Sequence, residues 1–189
     1  RGYVKINAAY NNGPQTLVDT VQDLTGLQVN HYAELDFESF RQIVDAVGGI
    51  DYCFENDVRD TVIKFTWEAG CRTLTGTESL WMVRARHFQE RINGRWVGDG
   101  KGDIGRIERQ QEFIIKLLAK VSGAGAITNV NRYAEIAKEH LVVDEGFDLG
   151  TAIDMFKAMT PVTPDRVEFV TLPVVDSLRG GVAYVELTP

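Results

Sequence analysis

The chain has little of several features that mark large classes of protein. Its 189 residues include only two cysteines and three histidines, which form no cluster, so a zinc site is not expected. No apolar run reaches the roughly 18 residues that a membrane-spanning helix needs. Basic residues number 20 against 27 acidic ones, which argues against nucleic acid as a partner. Ser79 and Ser177 have no base partner at a recognisable spacing, which argues against a serine hydrolase.

The basic charge is concentrated in one segment. From Arg84 to Arg109 the chain has seven of its 20 basic residues and four acidic ones, whereas the rest has 13 basic and 23 acidic residues. A cationic cluster in an acidic protein repels itself, and a bound anion offsets that repulsion. Arginine suits phosphate because its planar guanidinium group binds two oxygens at once. The alternative is a solvated, arginine-rich loop with surface ion pairs.

Apolar residues at helical spacing predict an amphipathic helix from Asp103 to about Val121. Asp103 is the predicted N-cap of this helix. Arg106 and Gln110 are then one turn apart on one face, and Arg109 borders the same surface.

A short helix is predicted from Thr75 to about Val83, with Thr75 or Thr77 as its cap. Arg84 and Arg86 follow it, and both point the same way if the chain is extended there. Arginines that converge on the start of the next helix would form a pyrophosphate site, because a helix N-terminus also favours anions.

Predicted helices and strands alternate along the chain. Further helices are predicted for Pro14–Thr25, Phe37–Val47 capped by Asp36, Val130–His140 and Leu149–Met159, and strands for His31–Leu35, Ile50–Phe54, Val62–Trp67, Val167–Leu172 and Ala183–Leu187. The stretch from Phe88 to Gly102 is predicted to be a solvated loop. This alternation indicates an α/β or α/β/α layered fold. With 189 residues, one domain is expected.

Four separated motifs resemble the LytR-CpsA-Psr (LCP) family of cell-wall assembly. They are KINAAY (Lys5–Tyr10), HYAELDFESFRQIVDAVGGID (His31–Asp51), AGCRTLTGTESLWMVRARH (Ala69–His87) and GDIGRIERQQ (Gly102–Gln111). They occur in the order of the family, and the resemblance covers roughly residues 3 to 122. It implies an α/β/α layered domain with a central mixed sheet flanked by helices.

The resemblance implies a phosphotransferase that moves a glycopolymer from a polyprenyl-pyrophosphate carrier onto peptidoglycan through a phosphodiester bond. The polymer would be arabinogalactan or a teichoic acid. Pyrophosphate-binding positions would be Lys5, Arg84, Arg86, Arg106 and Gln110, of which Arg84, Arg86 and Arg106 would be catalytic. Two alternatives stay open. One is a polyprenyl-pyrophosphate phosphatase or pyrophosphatase, and the other is a non-catalytic module that binds polyprenyl-phosphate lipids.

The polyprenyl chain would need an apolar pocket. Candidate lining residues are Phe37, Phe40, Leu80, Trp81, Phe113 and Leu117. Ordinary core packing explains each of these residues equally well.

The sequence departs from the family pattern at its start. Family members have Gly-x-Asp-x-Arg, Arg-x-Asp-Thr and Ile-Pro-Arg-Asp motifs before KINAAY, and these supply Mg²⁺-binding aspartates. The resemblance therefore implies Mg²⁺ as a cofactor, with ligands in a preceding segment and none in this chain. The domain over residues 1–189 would be incomplete at its N-terminus, with a separate N-terminal fragment as a candidate partner. An N-terminal helix would attach it to the extracytoplasmic face of the membrane.

The two cysteines lie in different predicted elements. Cys53 is in the predicted strand Ile50–Phe54, and Cys71 is in a turn before the short helix. A pair with no surplus thiol fits an exported protein with one disulfide, which the resemblance also favours. Closing such a loop would stabilise the fold by roughly 3 kcal/mol. The alternative is two free, buried thiols.

Overall fold

A computed structural model of the chain describes residues 5–122, 135, 138–159, 166–170 and 174–187. After a 3₁₀ helix at Ile6–Asn12, the helices are α1 (Pro14–Thr25), α2 (Phe37–Ala46), α3 (Gly76–Arg84), α4 (Asp103–Ser122) and α5 (Leu149–Met159). The strands are β1 (Ala33–Glu34), β2 (Ile50–Phe54), β3 (Val58–Asp60), β4 (Phe65–Trp67), β5 (Gly70–Leu74), β6 (Phe88–Ile92), β7 (Arg95–Gly98), β8 (Val142–Val143), β9 (Val174–Arg179) and β10 (Val182–Leu187). This alternation confirms the α/β class. No helix among these residues is long and apolar enough to cross a lipid bilayer.

The chain divides into two compact units, one formed by residues 33–167 and the other by residues 1–32 together with 168–189. The expectation of one domain over residues 1–189 stays a prediction. All strand pairs among the described residues are antiparallel, so these strands form four small antiparallel sheets rather than one mixed sheet. In the largest sheet, β4-β3-β6-β7, short turns at residues 61–64 and 93–94 join β3 to β4 and β6 to β7. These two pairs must be antiparallel, because a parallel pair needs a crossover of about a dozen residues.

The smaller unit contains α1 and the β9–β10 hairpin. Pro14 begins α1 and Gly26 ends it with φ 70°, as the sequence predicts. Gly180 and Gly181 have φ of 58° and 79°, so they form the two-residue turn that joins β9 to β10. This turn fixes the register of the hairpin from Val174 onwards. The strand predicted for Val167–Leu172 is wrong at residues 167–170, which are not in a strand.

Other predicted elements of the larger unit differ from the structure in their bounds. The first strand is only Ala33–Glu34, which pairs with β8, and the strand expected from Val62 begins at Phe65. The helix at Leu149–Met159 is confirmed. Most of the helix predicted for Val130–His140 lies outside the described residues. Within the predicted range, the described residues 135 and 138–140 are helical.

Helix α2 begins at a side-chain cap and ends at two glycines. The Asp36 carboxylate accepts a hydrogen bond from the Ser39 backbone N–H at 2.7 Å, as the sequence predicts for an N-cap. Val44 faces the core and is buried. Phe37, which the periodicity places inward, is 59% exposed instead, because it occupies the first turn at the edge of the helix.

A glycine permits the close contact between α2 and α3. A Cβ atom at Gly76 would lie 2.1 Å from the backbone oxygen of Arg41, so no other residue fits there. The Gly76 N–H donates to Asp45 of α2 at 2.6 Å. Thr75 and Glu78 form a capping box that starts α3, which confirms Thr75 as the cap. These contacts fix the helix that ends at Arg84.

The stretch from Phe88 to Gly102 was predicted to be a solvated loop, and this prediction is wrong. Most of the stretch forms the β6–β7 hairpin. Asn93 and Gly94 at its turn have φ of 50° and 77°, the conformation of a two-residue hairpin turn. Phe88 at its start is buried. The Asn-Gly pair is the sequence signal for this hairpin.

The disulfide prediction is confirmed. Cys53 on β2 and Cys71 on β5 are cross-strand partners and are joined by a disulfide bond. The bond closes a loop with a sequence separation of 18 residues.

Replacing both cysteines, Cys53→Ser with Cys71→Ser, is expected to lower the free energy of unfolding by about 3 kcal/mol, because the unfolded chain regains the entropy of an open loop. Urea unfolding at pH 7 measures the change. Wild-type protein under reducing conditions is the matched control and should show the same loss. A double variant as stable as the oxidised wild type would contradict this contribution.

Candidate functional site

Helix α4 begins at Asp103, within the basic segment, and its predicted extent is confirmed. Asp103 is the first helical residue rather than the N-cap. Its carboxylate instead forms ion pairs with Arg86 Nε at 3.1 Å and Arg106 Nη2 at 2.8 Å. One carboxylate thus joins an arginine from each of the two predicted arginine motifs.

A cavity of about 680 Å³ opens beside this ion pair, and we call it the arginine cavity. It is lined by Phe37, Asp60, Val62, Ile63, Arg84, Arg86, His87, Arg106 and Gln110. Four of the five predicted pyrophosphate-binding residues therefore lie together. The fifth, Lys5, precedes the 3₁₀ helix of the other unit and is exposed, and its contact with a ligand stays a prediction.

The charge of the arginine cavity is positive. Among the described residues, three guanidinium groups and one carboxylate, that of Asp60, line it. The Arg106 side chain is 26% exposed, and its Nε is buried without a hydrogen-bond partner among the described residues. The Arg84 guanidinium lies 4.3 Å from the centre of the Phe37 ring, which orients it without neutralising it. Arginine N–H groups are therefore left for an anion.

Two side chains of α4 hold the segment that carries Arg84 and Arg86. We call residues 83–87 the arginine segment. Gln110 Nε2 donates to the Val83 carbonyl at 3.0 Å, and Arg109 Nη2 donates to the Ala85 carbonyl at 2.6 Å. Gln110 was predicted only as a ligand-binding residue. In the structure, its amide also anchors the backbone next to the first arginine.

Asp60 at the end of β3 anchors the other end of the arginine segment. Its carboxylate is 1% exposed and accepts from the backbone N–H of His87 at 2.8 Å, Val62 at 2.8 Å and Ile63 at 2.9 Å. Burial alone would raise the pKa of Asp60, but the three backbone N–H groups outweigh it and hold the pKa below its ordinary value. The carboxylate is thus ionised at neutral pH and fixes the His87 backbone.

Arg109 was predicted to border the ligand surface, and this prediction is wrong. It is 7% exposed, its Nη1 donates to Asp99 at 2.8 Å, and its guanidinium packs 4.8 Å from the centre of the Phe88 ring. Gly105 makes room for the ion pair, since a Cβ atom there would lie 2.4 Å from the Asp99 carboxylate. Burial would raise the pKa of Asp99, but the bond from Arg109 helps to hold it below its ordinary value.

The candidate lipid-pocket residues are mostly part of the packed interior. Leu80 and Phe113 belong to the hydrophobic core, and Phe40, Trp81 and Leu117 pack against it. The Phe40 and Phe113 rings are 5.1 Å apart. Of the six, Phe37 lines the arginine cavity. That these residues hold a polyprenyl chain stays a prediction.

The described residues do not fit a magnesium site. None of their His, Cys, Asp and Glu side chains form a group of three or more that could hold a metal ion. The Asp60 oxygens near the cavity are taken up by three backbone N–H groups, and the Asp103 carboxylate is paired with two arginines. Neither is arranged to give a hard cation its oxygen ligands.

The fold and the site together define an α/β protein with a pocket that is lined by three arginines. The model of the LytR_cpsA_psr family matches residues 2–188. The chain belongs to this family, as the four sequence motifs indicate.

Relatives in this family have roles in cell-wall synthesis. The chain is 33% identical over 169 residues to the cell wall biosynthesis protein LcpA of Corynebacterium glutamicum, an alignment that covers 88% of this chain and 30% of LcpA. It is 30% identical over 155 residues to the polyisoprenyl-teichoic acid–peptidoglycan teichoic acid transferase TagV of Bacillus subtilis, covering 79% of this chain and 37% of TagV. The chain thus spans about a third of the length of these curated relatives.

Solved structures share the fold. The crystal structure of B. subtilis TagV has a TM-score of 0.76 at 24% identity, with 98% of this chain and 68% of that chain covered. A LytR-Csp2A-Psr enzyme from Actinomyces oris has a TM-score of 0.76 at 22% identity, with 93% of this chain and 67% of that chain covered. These likenesses confirm that the chain has the fold of this family.

Sequence reasoning missed the anchors Asp60 and Arg109. Each had a local signal. Asp60 is on the same side of its strand as the buried Val58, because side chains alternate along a strand. Arg109 is one turn before the buried Phe113 and shares its face of α4.

Proposed function

We propose that the protein transfers a glycopolymer from a polyprenyl-pyrophosphate carrier onto peptidoglycan through a phosphodiester bond. The observation that carries this proposal is the arginine cavity, where Arg84, Arg86 and Arg106 from two separate motifs line one pocket. The name of the relative TagV, polyisoprenyl-teichoic acid–peptidoglycan teichoic acid transferase, describes this class of reaction for a teichoic acid. The polymer handled here would be arabinogalactan or a teichoic acid.

In the proposed reaction, a hydroxyl oxygen of peptidoglycan forms a bond to the sugar-proximal phosphorus. The bond from that phosphorus to the bridging oxygen breaks, polyprenyl phosphate leaves, and the hydroxyl proton is released. Negative charge on the phosphate oxygens is the main barrier to such a step, so fixed cations do most of the catalysis. Arg84, Arg86 and Arg106 would neutralise this charge. The second N–H of the Gln110 amide and the Lys5 ammonium would bind further oxygens.

Three finer points are part of the proposal. The protein would act on the extracytoplasmic face of the cell membrane, where it would be anchored and where the peptidoglycan acceptor lies. Mg²⁺ would assist as a cofactor, with ligands that are not among the described residues. The polyprenyl chain would leave the cavity past the Phe37 ring.

Binding of geranylgeranyl pyrophosphate tests the anion site directly. The double variant Arg84→Ala/Arg106→Ala is expected to lower its affinity at least 100-fold, because two charge-assisted contacts to the pyrophosphate are lost. Isothermal titration calorimetry, with and without Mg²⁺, measures the dissociation constant.

The matched control is Arg91→Ala/Arg95→Ala, which removes the same charge from the exposed β6–β7 hairpin. The control should bind like the wild type, which separates a specific site from general electrostatic attraction. Equal loss in both double variants would contradict the assignment of the arginine cavity. An assay of phosphate products with and without an acceptor glycan then distinguishes transfer from hydrolysis.

A further inference from the structure

A second cavity, of about 340 Å³, lies in the same unit between α4 and strands β2, β3 and β6, and we call it the acidic cavity. It is lined by Tyr52, Cys53, Phe54, Glu55, Asn56, Val58, Met82, Phe88, Glu90, Asp99, Lys101, Gly105, Glu108, Arg109 and Glu112. Its volume is within the usual range of small-molecule sites, about 300–1,000 Å³. Nothing in the proposed transfer step uses it.

Two buried polar atoms of this lining lack hydrogen-bond partners among the described residues. The Tyr52 hydroxyl is one, in a residue that is 2% exposed, and Arg109 Nε is the other, in a residue that is 7% exposed. A buried polar group without a partner destabilises a protein and calls for an explanation such as a bound molecule. Both atoms belong to residues that line the same cavity, which makes this cavity the candidate place for such a molecule.

The charges of the acidic cavity exclude a phosphate ligand. Five carboxylates line it against two cations. Most of these charges are already paired: Asp99 with Arg109 at 2.8 Å, Glu108 with Lys101 at 2.6 Å, and Glu112 with Lys116 at 3.5 Å. The carrier pyrophosphate would be repelled here, so the acidic and arginine cavities select different molecules.

The unpartnered atoms also exclude a simple amine. Arg109 Nε–H can only donate, so it requires an acceptor, and an ammonium group has none. The Tyr52 hydroxyl can donate or accept, and burial raises its pKa, so it stays protonated. Sugar hydroxyl and amide groups both donate and accept. The C–H faces of a sugar ring also suit the apolar part of the wall, where Phe54 and Phe88 lie.

We propose that the acidic cavity binds a neutral sugar ring, with the Tyr52 hydroxyl and Arg109 Nε as its buried hydrogen-bond partners. The assignment of this sugar to the acceptor glycan rests on the proposed function, whereas the binding of a sugar by this cavity does not. Arg109 connects the two cavities. It lines the acidic cavity, and its Nη2 donates to the Ala85 carbonyl, which lies between Arg84 and Arg86 of the arginine cavity. A sugar that bonds to Nε would therefore contact the residue that positions the anion-binding arginines.

Titration of the protein with two neutral oligosaccharides tests this proposal. One is a β-1,4-linked N-acetylglucosamine tetramer, which represents a peptidoglycan strand, and the other is an arabinogalactan oligosaccharide, which represents the transferred polymer. The variant Tyr52→Phe deletes only the hydroxyl. It should weaken binding of the tetramer about 3- to 10-fold, the value of one hydrogen bond. Tyr10→Phe removes a hydroxyl outside the cavity lining and should change nothing.

Two readouts on the same samples separate this site from a structural role and from the arginine cavity. Because Phe removes a buried hydroxyl that has no hydrogen-bond partner in the described part of the chain, Tyr52→Phe should leave the melting temperature of the ligand-free protein unchanged or higher. Its affinity for geranylgeranyl pyrophosphate should equal that of the wild type, whatever the outcome for sugars.

Unchanged tetramer binding in Tyr52→Phe, or no binding of either oligosaccharide by the wild type, overturns the proposal. Binding of the arabinogalactan oligosaccharide alone supports a sugar site and overturns its assignment to the acceptor. A failure of pyrophosphate binding in the wild type is a failure of the proposed function and leaves the sugar result to stand by itself.

Discussion

Replacing Arg106 by alanine is expected to lower turnover at least 100-fold. Arg106 lines the cavity, and in the proposed reaction its guanidinium group stabilises the negative charge on the phosphate oxygens. Removing one such donor typically lowers kcat by about 10²–10³, because the charge of the transition state loses a fixed partner. The rate of polyprenyl phosphate release from a polyprenyl-pyrophosphoryl glycan, in the presence of an acceptor, measures the effect.

Folding accounts for little of this loss. Arg106 pairs with Asp103, whose side chain is 60% exposed, and such partly exposed pairs contribute at most about 1 kcal/mol to stability. The melting temperature of Arg106→Ala should therefore change little. Arg106→Lys keeps the charge but loses the planar fork, so its rate should lie between those of the wild type and the alanine variant. Near-normal turnover in Arg106→Ala would remove this residue from the site.

Asp60→Asn is expected to reduce stability by about 2–4 kcal/mol at pH 7. The carboxylate is buried and accepts three backbone hydrogen bonds, and bonds to a charged group are worth about 1.5–3 kcal/mol each. Asparagine keeps one acceptor oxygen but puts an NH₂ group opposite N–H donors. Urea unfolding measures the loss. The control is Asp23→Asn on the exposed side of α1, which should be within about 0.5 kcal/mol of the wild type.

The same variant should change the pH dependence of stability. The pKa of Asp60 is lowered in the folded protein, so its contribution is fully present above the unfolded pKa of about 3.9 and is lost as pH falls through the folded pKa. The gap between wild type and Asp60→Asn should be constant from about pH 7 to 5 and narrow below about pH 4. A gap that does not narrow would show that the charge of Asp60 is not what stabilises the fold.

Asp60→Asn should also weaken binding of geranylgeranyl pyrophosphate under conditions where the variant is folded. The carboxylate of Asp60 holds the His87 end of the arginine segment, and the substitution weakens this anchor. Wild-type affinity in the folded variant would mean that the anchors at Val83 and Ala85 are enough to position the arginine segment for pyrophosphate binding.

The sequence allowed the grouping of the candidate site residues to be predicted better than the contacts that support them. Helix α4 and the grouping of Arg84, Arg86, Arg106 and Gln110 followed from periodicity, spacing and family motifs. Those signals are local, and each motif carries its own pattern.

The supporting contacts were missed because they join residues far apart in the chain. The Asp60 bond to His87 spans 27 positions and the Arg109 bond to Ala85 spans 24, so the local patterns that indicate burial of Asp60 and Arg109 do not give their partners. Arginine and aspartate are also rarely buried, so composition favours placing them on the surface. Only the pairing of strands β3 and β6 brings Asp60 beside the start of β6.

In the arginine segment, the main chain and the side chains have different roles. Its anchors bind the main-chain atoms of residues 83, 85 and 87, whereas the side chains of residues 84 and 86 line the cavity. A mutation at 84 or 86 changes the lining of the cavity without deleting an anchor. Substitutions at these two positions can therefore change the charge of the cavity wall while the backbone scaffold stays in place.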